Sequence, residues 1–211
     1  MRSHVPKSPG GQTTMIPAIL KHVQSLGYRI FDGGHAYNLN IIGVRNSQNV
    51  NSFNDFLCCV YREEEDGPWI VKYWAATTDP GKFCLENPEV YGTSAGTAII
   101  VPGQYRGVYK LDLHRGKYEA LCQRNGKIKV YRDGNRDDVL DMDPDTIQEG
   151  FFGCNIHKAG THSTRVDKWS AGCQVFARSK DFDELIALCH KQIEHHPNWA
   201  ETFTYTLITE W

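Results

Sequence analysis

The stretch Tyr118-Glu119-Ala120-Leu121-Cys122-Gln123-Arg124-Asn125-Gly126-Lys127-Ile128-Lys129-Val130-Tyr131 decides the fold class. Two β-favouring runs flank an Asn-Gly pair, and Asn-Gly suits a tight turn whose two central residues take positive φ. The stretch reads as a β-hairpin. Working outward, further β-favouring runs occupy 40–44, 56–61, 69–75 and 97–101, separated by Glu65-Asp66-Gly67, Asp79-Pro80-Gly81 and Pro102-Gly103. A last strand is expected over 202–209, with Phe203, Tyr205 and Leu207 on one face. His114-Arg115-Gly116, after Leu111 and Leu113, reads as a turn at a strand end.

Two helices bracket these strands. Ile16, Ile19, Leu20, Val23 and Leu26 recur at helical spacing, with Pro17 in the first turn and Gly27 as the stop. Near the end, Phe182, Leu185, Ile186, Cys189 and Ile193 form one apolar stripe, with Ser179 or Asp181 as cap and Pro197 as terminator. His195 and His196, after this helix, are placed to cap its last carbonyls. No internal repeat or linker interrupts the chain. The fold class is therefore α+β, mainly β: one domain over 15–211, preceded by a flexible leader over 1–14.

Composition narrows the function. The chain has 211 residues, 40% of them hydrophobic, with 23 basic against 25 acidic side chains and a net charge of -2. It is too apolar for disorder, and no positive field exists to hold nucleic acid by counterion release. Its apolar runs, such as 96–103, are too short to insert in a membrane. The first fourteen residues have no apolar centre, so no secretory signal is visible and synthesis in the cytoplasm is expected. Seven cysteines, an odd number scattered singly apart from Cys58-Cys59, argue against a disulfide framework and leave a thiol free for chemistry. Cys58, Cys59, Cys84, Cys122 and Cys189 fall in strand or helix patterns and read as core. Asp141, Asp143 and Asp145 suggest calcium, but Thr146 and Phe152 stand where a calcium loop needs Gly and Glu.

The chemistry lies between Gly150 and Arg178, in the run Gly-Phe-Phe-Gly-Cys-Asn-Ile-His-Lys-Ala-Gly-Thr-His-Ser-Thr-Arg-Val-Asp-Lys-Trp-Ser-Ala-Gly-Cys-Gln-Val-Phe-Ala-Arg. Nucleophilic catalysis by a thiol needs an imidazole to take and return the proton, and backbone amides for the oxyanion. Gly172-Cys173 offers the sulfur and the amides together. Ile156-His157, at the end of an apolar strand, offers a rigidly held imidazole.

These residues resemble the L,D-transpeptidase catalytic domain, also called the YkuD domain. The likeness rests on Asn155-Ile156-His157, a twelve-residue loop, and Ser170-Ala171-Gly172-Cys173, in the family's order of His before Cys. It extends upstream to Thr77-Thr78-Asp79-Pro80-Gly81-Lys82-Phe83 and downstream to the helix over 181–188. Departures are Ala171, where the family has His or Arg, and Val175, where it has Arg or Asn. The resemblance implies an L,D-transpeptidase-like β-sandwich or barrel, with a short N-terminal helix and one helix after the cysteine. It further implies attack by Cys173 on an L,D linkage of a peptidoglycan stem peptide, without metal or organic cofactor. His157 would be general base and then acid, Ser170 would orient the imidazole, and the Gly172 and Cys173 amides would hold the oxyanion. Candidate substrate contacts are Asn155, His162, Arg165, Trp169, Gln174 and Arg178.

Without a visible export signal, a lytic, phage-endolysin-like hydrolase acting at the bacterial cell wall is expected over a cross-linking enzyme. Two alternatives come from other classes. One is a non-catalytic domain that binds cell-wall peptides. The other is a structural zinc site at Cys154, His157, His162 and Cys173, which has suitable ligand types at non-standard spacings.

Overall fold

Successive side chains of Leu57-Cys58-Cys59-Val60 point to opposite faces of one strand, and each face meets its own apolar core. The computed structural model describes residues 15–46, 50–91, 94–209 and 211. The leader expected over 1–14 lies outside them. The described residues form β1 (Asn40–Arg45), β2 (Asp55–Arg62), β3 (Trp69–Thr77), β4 (Thr97–Ile100), β5 (Gly103–His114) and β6 (Tyr118–Gln123). They continue through β7 (Ile128–Asp133), β8 (Gln148–Gly150), β9 (Ile156–Lys158), β10 (Gln174–Phe176) and β11 (Phe203–Thr209). The helices are α1 (Ala18–Ser25), α2 (Lys82–Glu86) and α3 (Ser179–His195).

Eight strands close into a mixed barrel in the order β1-β11-β5-β6-β9-β10-β3-β2, and β4-β7-β8 make a small antiparallel sheet. The pairs β1–β11 and β9–β10 are parallel. The protein is thus α+β and mainly β. Leu57, Cys59, Ala76, Leu121, Ile156, Phe176 and Tyr205 belong to one core cluster, which Phe182, Leu185 and Cys189 of α3 join. Cys58 and Val60 face the other way, where Ile19, Leu20 and Val23 of α1 cover them together with Ile42 and Ile208. Each fully buried aliphatic side chain here stabilises by about 2 kcal/mol. The adjacent cysteines are thus packing residues of two separate cores, and all seven thiols are free.

The expected hairpin at Asn125-Gly126 does not form. β6 pairs with β5 and β9, whereas β7 pairs with β4 and β8. Neither turn residue lies in the left-handed region. The amides of Arg124 and Asn125 instead both donate to the Val108 carbonyl, at 3.2 and 3.0 Å, and Asn125 Nδ2 donates to the Gly107 carbonyl at 2.8 Å. Gly126 is pressed onto Val108, where a Cβ would meet Cγ2 at 2.9 Å. β5 therefore captures the turn and deflects the chain into the second sheet. The capping expectations also change. α3 begins after Arg178 without a side-chain cap, and at its end the His196 backbone amide donates to the Gln192 carbonyl at 3.0 Å while the His196 ring meets the Ala36 carbonyl at 2.6 Å.

A polar network ties the strands together. Buried Arg45 sits 2.7 Å from Asp79 and donates to the carbonyls of Ile100 at 2.8 Å and Thr78 at 3.0 Å. Asp55 accepts from the Asn46 amide at 2.7 Å and from the Thr78 amide and hydroxyl at 2.6 and 2.8 Å. Gln174 Nε2 donates to the Thr78 carbonyl at 3.3 Å and its Oε1 accepts from Tyr205 at 2.6 Å. Burial, and then the neighbouring Asp79, push Asp55 up to about 7. Breaking a buried pair by removing one partner costs about 3–5 kcal/mol. Arg45→Met is expected to lower stability by that order at pH 8 and by less at pH 5, where the stranded carboxylates take up protons. Urea unfolding at the two pH values measures this.

Candidate active site

The turn that carries Cys173 is built from short-range bonds. The Ser170 hydroxyl accepts from the Gly172 amide at 3.2 Å and donates to the Cys173 carbonyl at 2.8 Å. Gly172 takes φ +116, and a Cβ there would meet the Ala98 carbonyl at 2.6 Å, so only glycine fits. The stretch after β3 pins this turn from outside. The Gly81 amide donates to the Ser170 carbonyl at 2.9 Å, and Gly81 lies so close to Asp167 that a Cβ would sit 2.1 Å from its carbonyl oxygen. Asn51 Oδ1 accepts the amides of Lys82 at 3.0 Å and Asp167 at 2.6 Å.

The neighbouring strand fixes what stands beside the sulfur. In the parallel pair β9–β10, Ile156 lies opposite Gln174 and His157 opposite Val175. With alternating side chains, Asn155, His157, Cys173 and Val175 share one face, and Ile156 and Gln174 take the other. Cys173 and Asn155 open onto a cleft of about 280 Å³ whose wall also includes His114, Arg115, Arg132 and Trp169. Six of the seven cysteines are buried, and Cys173 alone is half-buried.

Two imidazoles back this wall. The rings of His114 and His157 stack with centroids 4.2 Å apart and planes 22° from parallel. His114 ends β5, and Arg115 and Gly116 turn the chain back with φ 52 and 70. Asn155 Oδ1 accepts the Gln123 amide at 2.9 Å, which leaves Nδ2 to donate to His114 Nδ1 at 3.1 Å. In the neutral His114 ring the proton is therefore on Nε2. His157 Nδ1 faces the Lys158 carbonyl at 2.9 Å, and Tyr118 donates to that same carbonyl at 3.3 Å. A carbonyl only accepts, so the Lys158 contact favours the neutral His157 tautomer with its proton on Nδ1 and its lone pair on Nε2.

Burial dominates the electrostatics. It pushes His157 down to about 3, with help from the adjacent His114, although the carbonyls of Lys158 and Trp169 favour the charged ring. It pushes His114 down to about 4, with help from Arg115 and Arg124. It pushes the Cys173 thiol up to about 11, opposed by the Asn155 amide and by Arg115. At rest the thiol is protonated and points to the Gly153 carbonyl at 3.6 Å. The resting pair is therefore neutral thiol and neutral imidazole, so the thiol's proton must leave during the reaction.

Of the residues expected from sequence, the structure brings together Cys173, Gly172, Asn155 and Trp169, with His157 packed behind His114. Ser170 is fully buried and bonds the cysteine's own turn rather than an imidazole. The Gly172 amide, expected to hold an oxyanion, is engaged by Ser170. Gln174 points into the barrel. Exposed Arg178 forms a backbone bridge with His162, and exposed Arg165 one with Ser52, all away from the cleft wall. His114 and Arg115, read from sequence as a turn at a strand end, form part of that wall, as does Arg132 of β7; the strand leading to His114 carries Arg106, Lys110 and Asp112 and so lacks a clean apolar alternation. Among the described residues no three His, Cys, Asp or Glu side chains are placed to hold a metal ion, so the zinc arrangement has no geometry behind it.

Two measurements check these electrostatics. A histidine depressed in the fold costs stability as pH falls from its ordinary value of about 6.5 towards the folded value, because only the unfolded chain takes the proton. As pH falls from 6.5 to about 4, the urea midpoint of the wild type is expected to drop relative to that of His157→Gln. Asp55 opposes this slope equally in both proteins and cancels in the comparison. Iodoacetamide is expected to label Cys173 in the folded protein at a rate that climbs with pH towards about 11 instead of levelling near neutrality.

No protein-family model, curated protein or solved structure compared with this chain matches it.

Proposed function

We propose that the chain is a cysteine-dependent acyl-transfer enzyme that cleaves peptidoglycan stem peptides at an L,D linkage, with water as the acyl acceptor. The observation that carries the reading is the single half-buried thiol, Cys173, on a cleft wall shared with His114 and Asn155, with His157 on the same strand face. The barrel is read as a divergent L,D-transpeptidase-like fold on the strength of the Asn155-Ile156-His157 and Ser170-Ala171-Gly172-Cys173 arrangement.

In this scheme the Cys173 proton passes to His157 Nε2 as sulfur bonds to the substrate carbonyl carbon and the carbonyl π pair moves to oxygen. The Lys158 and Trp169 carbonyls stabilise the imidazolium so formed. Collapse re-forms the carbonyl and breaks the C–N bond, and the leaving nitrogen takes the proton back from His157. Water then repeats the attack on the thioester, releasing a carboxylic acid and the thiol. Arg115, over the Tyr91 ring at 5.9 Å, and Arg132, over the Phe152 ring at 4.6 Å, bring positive charge to the cleft. They suit the carboxylates of a stem peptide and stand in for the polar residue that Val175 replaces.

Defined muropeptides treated with wild type and with Cys173→Ala, and analysed by mass, test the proposal. Wild type is expected to release fragments and the variant none. Cross-linked products in place of fragments would move the acceptor from water to an amine. Equal products from both proteins would end the reading, and equal binding of peptides without products would favour a binding domain.

A further inference from the structure

We infer that His114 is the hydrogen-bond donor for the oxyanion, its Nε2–H presented to the cleft by the Asn155 amide that fixes its tautomer. The inference rests on the acyl-transfer reading above. Acyl transfer at Cys173 places negative charge on the former carbonyl oxygen, and that charge needs preorganised donors. The Gly172 amide is already bonded to Ser170 at 3.2 Å. His157 cannot donate to substrate from Nδ1, which faces the Lys158 carbonyl. His114 lines the cleft with a donor whose tautomer is fixed, because Asn155 Nδ2 occupies its Nδ1 lone pair. The same bond disqualifies His114 as the base.

The stacked pair therefore divides the work. His157 offers a lone pair on Nε2, and His114 a proton on Nε2. Two rings 4.2 Å apart resist double protonation, so His114 stays neutral while its neighbour carries the proton. Burial, together with Arg115 and Arg124, keeps His114 uncharged at working pH. Asn155 is the positioning residue. Its side-chain oxygen is held by the Gln123 amide and its backbone carbonyl by the Gln174 amide, so its amide group cannot rotate without losing bonds.

The test compares two reactions of the same sulfur: acylation by p-nitrophenyl acetate, which builds an oxyanion, and alkylation by iodoacetamide, which does not. His114→Phe, which keeps a ring against His157, is expected to lose about 100- to 1000-fold in acylation while alkylation persists. His114→Gln, whose amide can donate, is expected to retain more acylation than His114→Phe. Unchanged acylation in His114→Phe would overturn the assignment, and so would parallel loss of both reactions in a variant of native melting temperature, which would make His114 the base. Ring 15N spectra of the wild type supply a readout independent of variant folding: protonated Nε2 is expected, and a proton on Nδ1 overturns the inference. Acylation that survives Cys173→Ala would instead defeat the underlying acyl-transfer reading.

Discussion

Asn155 is the residue on which the site's geometry depends. Its carbonyl takes the Gln174 amide, its side-chain oxygen takes the Gln123 amide, its side-chain nitrogen reaches His114, and its own amide faces the Cys173 sulfur. Through its side chain and its backbone this one residue joins the ends of β5, β6, β9 and β10. A buried amide bonded at both its oxygen and its nitrogen holds its neighbours to one arrangement, because flipping it leaves unpaired groups at a cost of about 1–3 kcal/mol each. The relative placement of thiol and imidazole follows from that satisfaction.

The same dryness sets the chemical character of the cleft wall. Desolvation lowers both histidines and raises the thiol, so the uncharged forms prevail and no resting thiolate–imidazolium pair is stored. Such a site avoids standing charge in the barrel wall and meets charge only during reaction, when fixed carbonyls and N–H groups are already aimed. Charge is kept elsewhere in the barrel, in the Arg45–Asp79 pair, where the guanidinium is surrounded by carbonyl acceptors.

Much of the architecture was legible in local pattern. The strands over 40–45, 55–62 and 69–77 carry strong β-branched and aromatic runs, and α1 and α3 carry clean helical stripes, so period alone places them. Three features escaped for identifiable reasons. The Asn125-Gly126 turn obeys a long-range acceptor, the Val108 carbonyl, that no local rule contains. β10, three residues long, is a strand through its partners, Ile156 to Lys158 on one side and Ala76 and Thr77 on the other. His114 joins the site only because β5 pairs with β6 and β6 touches β9, a relation invisible in its own neighbourhood of charged residues. The candidate site was therefore readable where it is contiguous, around Ser170 to Cys173, and unreadable where topology assembles it.

The parallel seam between β1 and β11 has a consequence for biogenesis. β11, which seals the barrel, leaves the ribosome after the other seven barrel strands, so until then the edges of β1 and β5 stand unpaired, and sealing joins strands far apart in the chain in one step. Such non-local pairing is entropically slow and leaves sticky edges exposed to other nascent chains. Expression yield and chaperone dependence should therefore respond to substitutions in 203–209 more sharply than the stability of the finished protein does.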